Sequence, residues 1–275
     1  MRDVTPTTGG GAGWHTPSMH ARSALFDVYG DHLRNRDSQA AVAGLVQLLE
    51  PVGIQAPAVR TAISRLVAQR WLEPVQLPAG RGYRATERTI RWLDEAGARI
   101  YRRVDQAWDG HWQLALVEPP VDRAARNRLR ADLAFIGYGE VAPQVWVSPF
   151  ARAELDEVLQ RAGASARRVR ADEIAPAPVD AWDLDALAAA YQAFVGNADP
   201  LLDRASAEDD DPDRAAFAAR FHLVHEWRKF LFIDPGLPDE LLPDDWPGRT
   251  AAELFTTQAE RLKPAADRYV ARCLD

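Results

Sequence analysis

Three residues, Pro51, Val52 and Gly53, constrain this chain most, because they divide two runs that are each apolar at helical spacing. Upstream, "AVAGLVQLLE" reads as a short helix ending at Glu50. Downstream, "GIQAPAVRTAISRLVAQRWLEPV" carries Val59, Ile63, Leu66 and Val67 at i, i+4, i+7 and i+8, one helical stripe. Proline and glycine between the two leave room only for a tight turn. Arg60, Thr61, Ser64 and Arg65 lie mostly off the stripe, so the second helix is anchored on one side and offers charge and hydroxyls on the other. Two short helices around a glycine-containing turn are a helix-turn-helix signature, whose second helix can enter a major groove.

The flanking segments enlarge this unit. "SMHARSALFDVYGDHLRNR" predicts a helix opening at Ser18, with Leu25, Phe26, Val28, Tyr29 and Leu33 as its apolar side. "WLEPVQL" and "GYRAT" bracket the loop Pro78 to Arg81, a β-hairpin. "TERTIRWLDEAGARIYRRV" then predicts a helix from Thr86, with Ile90, Leu93, Ile100 and Tyr101 apolar. Three helices and a hairpin predict a winged helix over residues 18–104, behind a disordered tail at 1–17 that is rich in Gly and Thr.

Charge supports a polyanion partner for that part alone. The whole chain is at −7, but Ala21 to Val104 holds 13 Arg against 8 acids, a local +5. Asp105 to Pro178 stands at −2, and Val179 to Asp275 at −10. A basic first third on an acidic body fits one localised nucleic-acid site. The single cysteine, Cys273, excludes an intrachain disulfide. The sequence has no run of 18 apolar residues and the tail has no signal-peptide core, so the expected location is the cytoplasm.

Beyond residue 104 the rhythm changes. "HWQLALVE", "EVA", "QVWVSP" and "ARRVRA" read as strands, with helices at "VDRAARNRLRADLAFIGY" (Leu129, Leu133 and Ile136 inward) and "ARAELDEVLQRAGA". The order βαββαβ predicts a ferredoxin-like domain over 105–178. Residues 179–275 read as helical: "DAWDLDALAAAYQAFVG" stopped by Gly196, an acidic loop at "AEDDDPDRA", a long helix "RAAFAARFHLVHEWRKFLFI", a proline-rich linker, and a final helix from about Thr250. The fold class expected is α+β, in three parts.

These segments resemble the PaaX-type transcriptional repressors, which control phenylacetic acid degradation. The blocks "LFDVYGDH", "APAVRTAISRLVAQRWL", "FIGYGEVAPQVWVSP" and "LVHEWRKFLFIDPGLPDELLPDDWPG" arrive in the family's order, and the resemblance covers about residues 21 to 270. It implies a homodimer that binds a double-stranded DNA operator through its winged helix. It also implies release by an aryl-coenzyme A thioester such as phenylacetyl-coenzyme A. The hairpin departs from the family pattern, reading "GRGYRAT" where an Arg-Ser-Tyr-Tyr-like run is usual.

Each candidate residue has a bland alternative. Arg60, Thr61, Ser64 and Arg65 suit base edges and phosphates, since arginine can hold guanine O6 and N7 together; otherwise they are a solvated helix face. Arg81, Tyr83 and Arg84 on the hairpin suit a minor groove or phosphate, or simply stabilise the hairpin. In "HLVHE", His222 and His225 share a helical face, but Glu226 follows the second histidine and the zinc-protease order is absent, so no metal is expected. Trp227, Arg228 and Lys229 beside them offer an aromatic wall and two cations for an effector's ring and phosphates, or a packed amphipathic helix. No catalytic constellation and no cofactor are expected. The competing reading is an enzyme, either a metal-dependent nuclease on the middle domain or a thioesterase-like activity in the helical one. Against it, the first strand of the middle part ends without an aspartate.

Overall fold

The computed structural model describes residues 19–101, 107–207 and 210–274. Its first part runs α1 (Ala21–Asp31), β1 (Gln39–Ala41), α2 (Val42–Leu49), α3 (Ala56–Ala68), β2 (Leu72–Leu77), β3 (Gly80–Ala85) and α4 (Glu87–Tyr101). Gly53 makes the α2–α3 turn at φ +82°, backbone that L side chains rarely adopt. Pro57 stands in the first turn of α3, where its missing N–H costs no hydrogen bond. Val59, Ile63 and Leu66 of the stripe are buried, Val67 only partly so, and Ala62 is buried beside them.

The hairpin turns on Pro78 and Ala79 alone, since Leu77 already pairs with Gly80. The sheet order is β1-β3-β2. Pro74 sits on β2, an edge strand, where a missing ladder donor is tolerated. Three expectations for this part are corrected. The first helix starts at Ala21, behind an extended His20, instead of at Ser18, and ends at Asp31 instead of running on to Arg36. β1 was not expected: two of its three residues are alanine, a poor strand former, and it exists because it pairs with β3, Gln39 to Arg84 and Ala41 to Gly82. The hairpin loop is shorter than Pro78 to Arg81. The 1–17 tail and the side chains of Ile100 and Tyr101 lie outside the described residues.

The middle part is β4 (Trp112–Glu118), α5 (Arg123–Phe135), β5 (Gly139–Ala142), β6 (Val145–Ser148), α6 (Leu155–Ala162) and β7 (Ser165–Ala171). Its sheet runs β5-β6-β4-β7, every pair antiparallel, and Leu129, Leu133 and Ile136 of the α5 region are buried beneath it.

The last part holds α7 (Leu184–Ala207), α8 (Pro212–Trp227), a 3₁₀ segment Arg228–Phe232 and α9 (Pro247–Leu274). Gly196 does not stop α7, which runs on through Pro200 to Ala207. A helical glycine costs only about 1 kcal/mol against alanine, and the burial of Phe194 and Ala198 on either side offsets that. α9 starts three residues before Thr250, with Pro247 at its first position.

The three parts are not three separate cores. One apolar cluster joins Leu25, Val28 and Tyr29 of α1 and Val59, Ile63 and Leu66 of α3 to Phe217 and Phe221 of α8 and Tyr269 and Val270 of α9. α9 also reaches α2: the Tyr269 hydroxyl donates to the Gln47 carbonyl at 3.2 Å, and a Cβ on Gly44 would lie 2.7 Å from the Cys273 carbonyl. Only glycine lets the two backbones approach so closely there.

His32, just after α1, is buried in this shared core against Phe217, and burial pulls its pKa from 6.5 down to about 4. The neutral ring is favoured in the folded state, so above pH 6.5 the group costs nothing. Below 6.5 the unfolded chain takes up a proton that the folded chain refuses. Stability should fall by about 1.4 kcal/mol per pH unit, levelling near pH 4 at about 3 kcal/mol. Urea unfolding of the parent and of His32→Phe between pH 7 and 4 checks this: the variant should lose that share of the slope, and parallel profiles would refute the assignment.

Candidate functional site

α3 presents Arg60, Thr61, Ser64 and Arg65 together, all exposed, across an arc of about 140° at 3.6 residues per turn. Among the described residues neither arginine has an ion-pair partner, so both guanidinium groups face solvent with their donors available. The hydroxyls are less open. Thr61 Oγ1 donates to the Pro57 carbonyl at 2.8 Å and Ser64 Oγ to the Arg60 carbonyl at 3.0 Å. Both keep lone pairs for an incoming donor, but each must give up its carbonyl bond and rotate its hydroxyl hydrogen before it can donate to a phosphate.

On β3 the three hairpin candidates separate. Arg81 is exposed near the tip, with its guanidinium carbon 5.5 Å from the centre of the Tyr83 ring. Tyr83 itself is a correction: its ring is buried in the shared core, and its carbonyl accepts a 2.9 Å hydrogen bond from Tyr29 on α1. A phenol held there cannot reach a groove. Arg84 is exposed but committed within the sheet, donating to Gln39 Oε1 at 3.0 Å on β1 and lying 4.0 Å from Glu73 on β2.

The five residues of the His222–Lys229 stretch part company as well. His225 Nδ1 lies 2.7 Å from Asp27 Oδ2, and Arg228 closes on the other oxygen of that carboxylate. Asp27 belongs to α1 and is only 4% exposed. One turn away, Arg220 forks onto Asp31 of α1 and donates from Nε to the Ala259 carbonyl at 3.1 Å. The sequence predicts His225 and Arg228 as effector ligands; the structure spends them instead on a charged seam between the last part and the first. Burial pulls the Arg228 guanidinium down to about 10 and holds both His222 and His225 below the ordinary imidazole value. The Nδ1 tautomer of the His225 ring can donate its proton to Asp27.

Trp227 stacks on Phe255 with ring centres 4.6 Å apart and touches Phe194 and Phe230, so it belongs to an aromatic core. Lys229 is exposed and bound to Glu226 through both carboxylate oxygens at 2.6 Å. That pair stands at the mouth of a cleft of about 260 Å³ between α7 and the α8–3₁₀ segment, walled by Ala190, Phe194, Leu223, Phe230 and Ile233. Among the described residues no group of three or more His, Cys, Asp and Glu side chains is placed to hold a metal ion, and no helix is long and apolar enough to cross a membrane.

Asp27, Asp31 and Arg220 were not singled out from the sequence. The signal was present in "ALFDVYGD", where Asp27 falls between Phe26 and Val28 on an apolar helix face. A carboxylate in such a place is rarely buried without a cation, and the cation had to come from elsewhere in the chain.

This arrangement of a first part of four helices and a three-stranded sheet, a four-stranded middle domain and a helical last part coincides with three family models in order. Residues 20–89 match a PaaX-like protein model, 105–177 the PaaX protein central Cas2-like domain, and 182–272 the PaaX-like protein C-terminal domain. The chain is 30% identical over 261 residues to the transcriptional repressor PaaX of Escherichia coli K12, covering 90% of this chain and 82% of that protein. It therefore belongs to the PaaX family. A solved structure of an uncharacterized Mycobacterium tuberculosis protein, 26% identical, matches 90% of this chain and 98% of its own with a TM-score of 0.58.

Proposed function

We propose that this protein is a DNA-binding transcriptional repressor of an aromatic-acid catabolic operon, acting as a homodimer and released from its operator by an aryl-coenzyme A thioester such as phenylacetyl-coenzyme A. In this reading residues 18–104 are a winged helix-turn-helix, α3 is the recognition helix and the β2–β3 hairpin is the wing. Residues 105–178 are a ferredoxin-like domain, and residues 179–275 carry the effector response. The observation that carries the reading is the cationic face of α3, with Arg60 and Arg65 unpaired beside two hydroxyls, in a chain whose PaaX relative is a transcriptional repressor. A dimer doubles the small surface one recognition helix buries, and its two-fold axis calls for an inverted-repeat operator.

Footprinting and anisotropy titrations on the DNA upstream of the protein's own gene test it. The binding constant should fall steeply with salt, because arginines displace counterions condensed on DNA. Arg65→Ala or Arg81→Ala should each flatten the log–log salt slope by about one unit. The titration should saturate at two chains per site. A slope unchanged in both variants removes these arginines from the phosphate contacts, and absence of any protected site removes the repressor reading.

A further inference from the structure

α8 and the 3₁₀ segment after it are two-sided. On one side Phe217, Phe221, Arg220, His225 and Arg228 turn toward α1, the last two meeting on Asp27. On the other, Leu223, Glu226, Phe230 and Ile233 line the cleft against α7. One short stretch of chain, residues 225–230, thus touches both the buried carboxylate of α1 and the cleft wall. α1 is in turn the backing of the DNA-facing elements: it shares the core with Val59, Ile63 and Leu66 of α3, and Tyr29 holds the β3 backbone at Tyr83.

The cleft itself has the character of a small-molecule site. Its walls are apolar, three of its α7 positions are alanine, and the Lys229–Glu226 pair and Asn197 supply its polarity. An apolar cavity of about 150 Å³ takes up benzene, so about 260 Å³ has room for a ring and its first linking carbon. Ile233 and Phe232, largely exposed beside it, continue the apolar surface toward Phe135 of α5, whose ring centre lies 5.9 Å from that of Phe232.

We propose that the cleft between α7 and the α8–3₁₀ segment is the regulatory site for a compact, ring-sized apolar group, and that its occupancy is transmitted to α3 and the hairpin through the contacts of His225 and Arg228 with Asp27 on α1. This rests on the effector-released repressor reading above and adds the site and the route. A group entering the cleft bears on Phe230 and Leu223, and so on the same backbone that carries Arg228 and His225 to α1. Losing either partner leaves a buried charge uncompensated, a cost that disfavours a half-broken tie and so gives it the character of a two-state element. A ligand shifts the DNA equilibrium only by its preference for one of those states.

The test supplies the occupant as a side chain. Ala190→Phe puts a ring into the cleft from α7, and Ala193→Trp does so from the outer rim should the first fail to fold. Each filled variant, with the parent's circular dichroism, should bind the upstream DNA at least tenfold more weakly and show faster hydrogen exchange at the α1 amides, a readout that needs no DNA. Arg228→Gln, or His225→Ala in its place, should also weaken DNA binding. The double variant with Ala190→Phe should bind no more weakly than the weaker single. Filled variants with parental exchange in α1, or losses that multiply in the double variant, overturn the proposal. Adding phenylacetyl-coenzyme A to the parent–DNA complex separates the two readings. No release, with the filled variants still weakened, means the thioester is wrong and the wiring stands; full release in a filled variant means that the cleft is not the site.

Discussion

Asp27→Ala should lower the stability of the protein by about 3–5 kcal/mol, the largest loss expected from any single polar side chain in it. The reason lies in what remains after the change. Arg228 is held with 13% of its side chain exposed and His225 with 17%, and both are aimed at a carboxylate that would be gone. A guanidinium buried without a counter-charge must either pull water in or move out, and moving out opens the contact between α8 and α1. Glu226→Ala provides the contrast, since its partner Lys229 is half exposed and solvent already serves that amine. Such a surface pair is worth about 0–1 kcal/mol. Urea unfolding of the two variants beside the parent decides: if Asp27→Ala and Glu226→Ala unfold at the same midpoint, the seam does not hold the parts together.

The second large effect separates reading DNA from packing. Arg60→Ala should cost about 1–3 kcal/mol of operator binding and relax the preference at one base position per half-site, by removing a two-pronged contact to guanine. Its side chain is exposed and unpaired, so fold stability should move by less than about 0.5 kcal/mol. Ile63→Ala, three residues on and 2% exposed in the shared core, should do the reverse, costing about 2–5 kcal/mol of stability. Binding to operator and to random DNA, measured next to thermal melting, gives both readouts. Arg60→Ala binding both DNAs like the parent would dismiss α3 as the base-reading element, and its unfolding would mean that Arg60 is structural.

The face of α3 was legible in the sequence because it depends on local period alone. Val59, Ile63 and Leu66 are buried and Arg60, Thr61, Ser64 and Arg65 exposed where a 3.6-residue repeat puts them. The βαββαβ order of the middle part was legible for the same reason, including the arginine-rich β7. What sequence reading missed depends on partners far along the chain. β1 is a strand only because β3 lies beside it. Tyr83 looked open on the hairpin although its side chain packs into the core shared with α1 and α8, and His225 and Arg228 looked available because nothing near them in sequence shows a carboxylate 198 residues away. Gly196 failed as a stop because packing on both sides of it outweighs the local preference.

The shared core has a consequence for how the molecule comes into being. The middle domain is an interruption between two stretches that complete one another, with Asp31 and Asp27 waiting for Arg220 and His225 at separations of 189 and 198 residues. At a synthesis rate of about 5–20 residues per second, those partners leave the ribosome roughly ten to forty seconds after α1 does. During that interval the residues that α8 and α9 lend to the core are missing, and the Asp27 carboxylate is still hydrated. The part of the protein made first is therefore finished last, and a chain cut short anywhere before α8 carries α1 and α3 without the backing that fixes them.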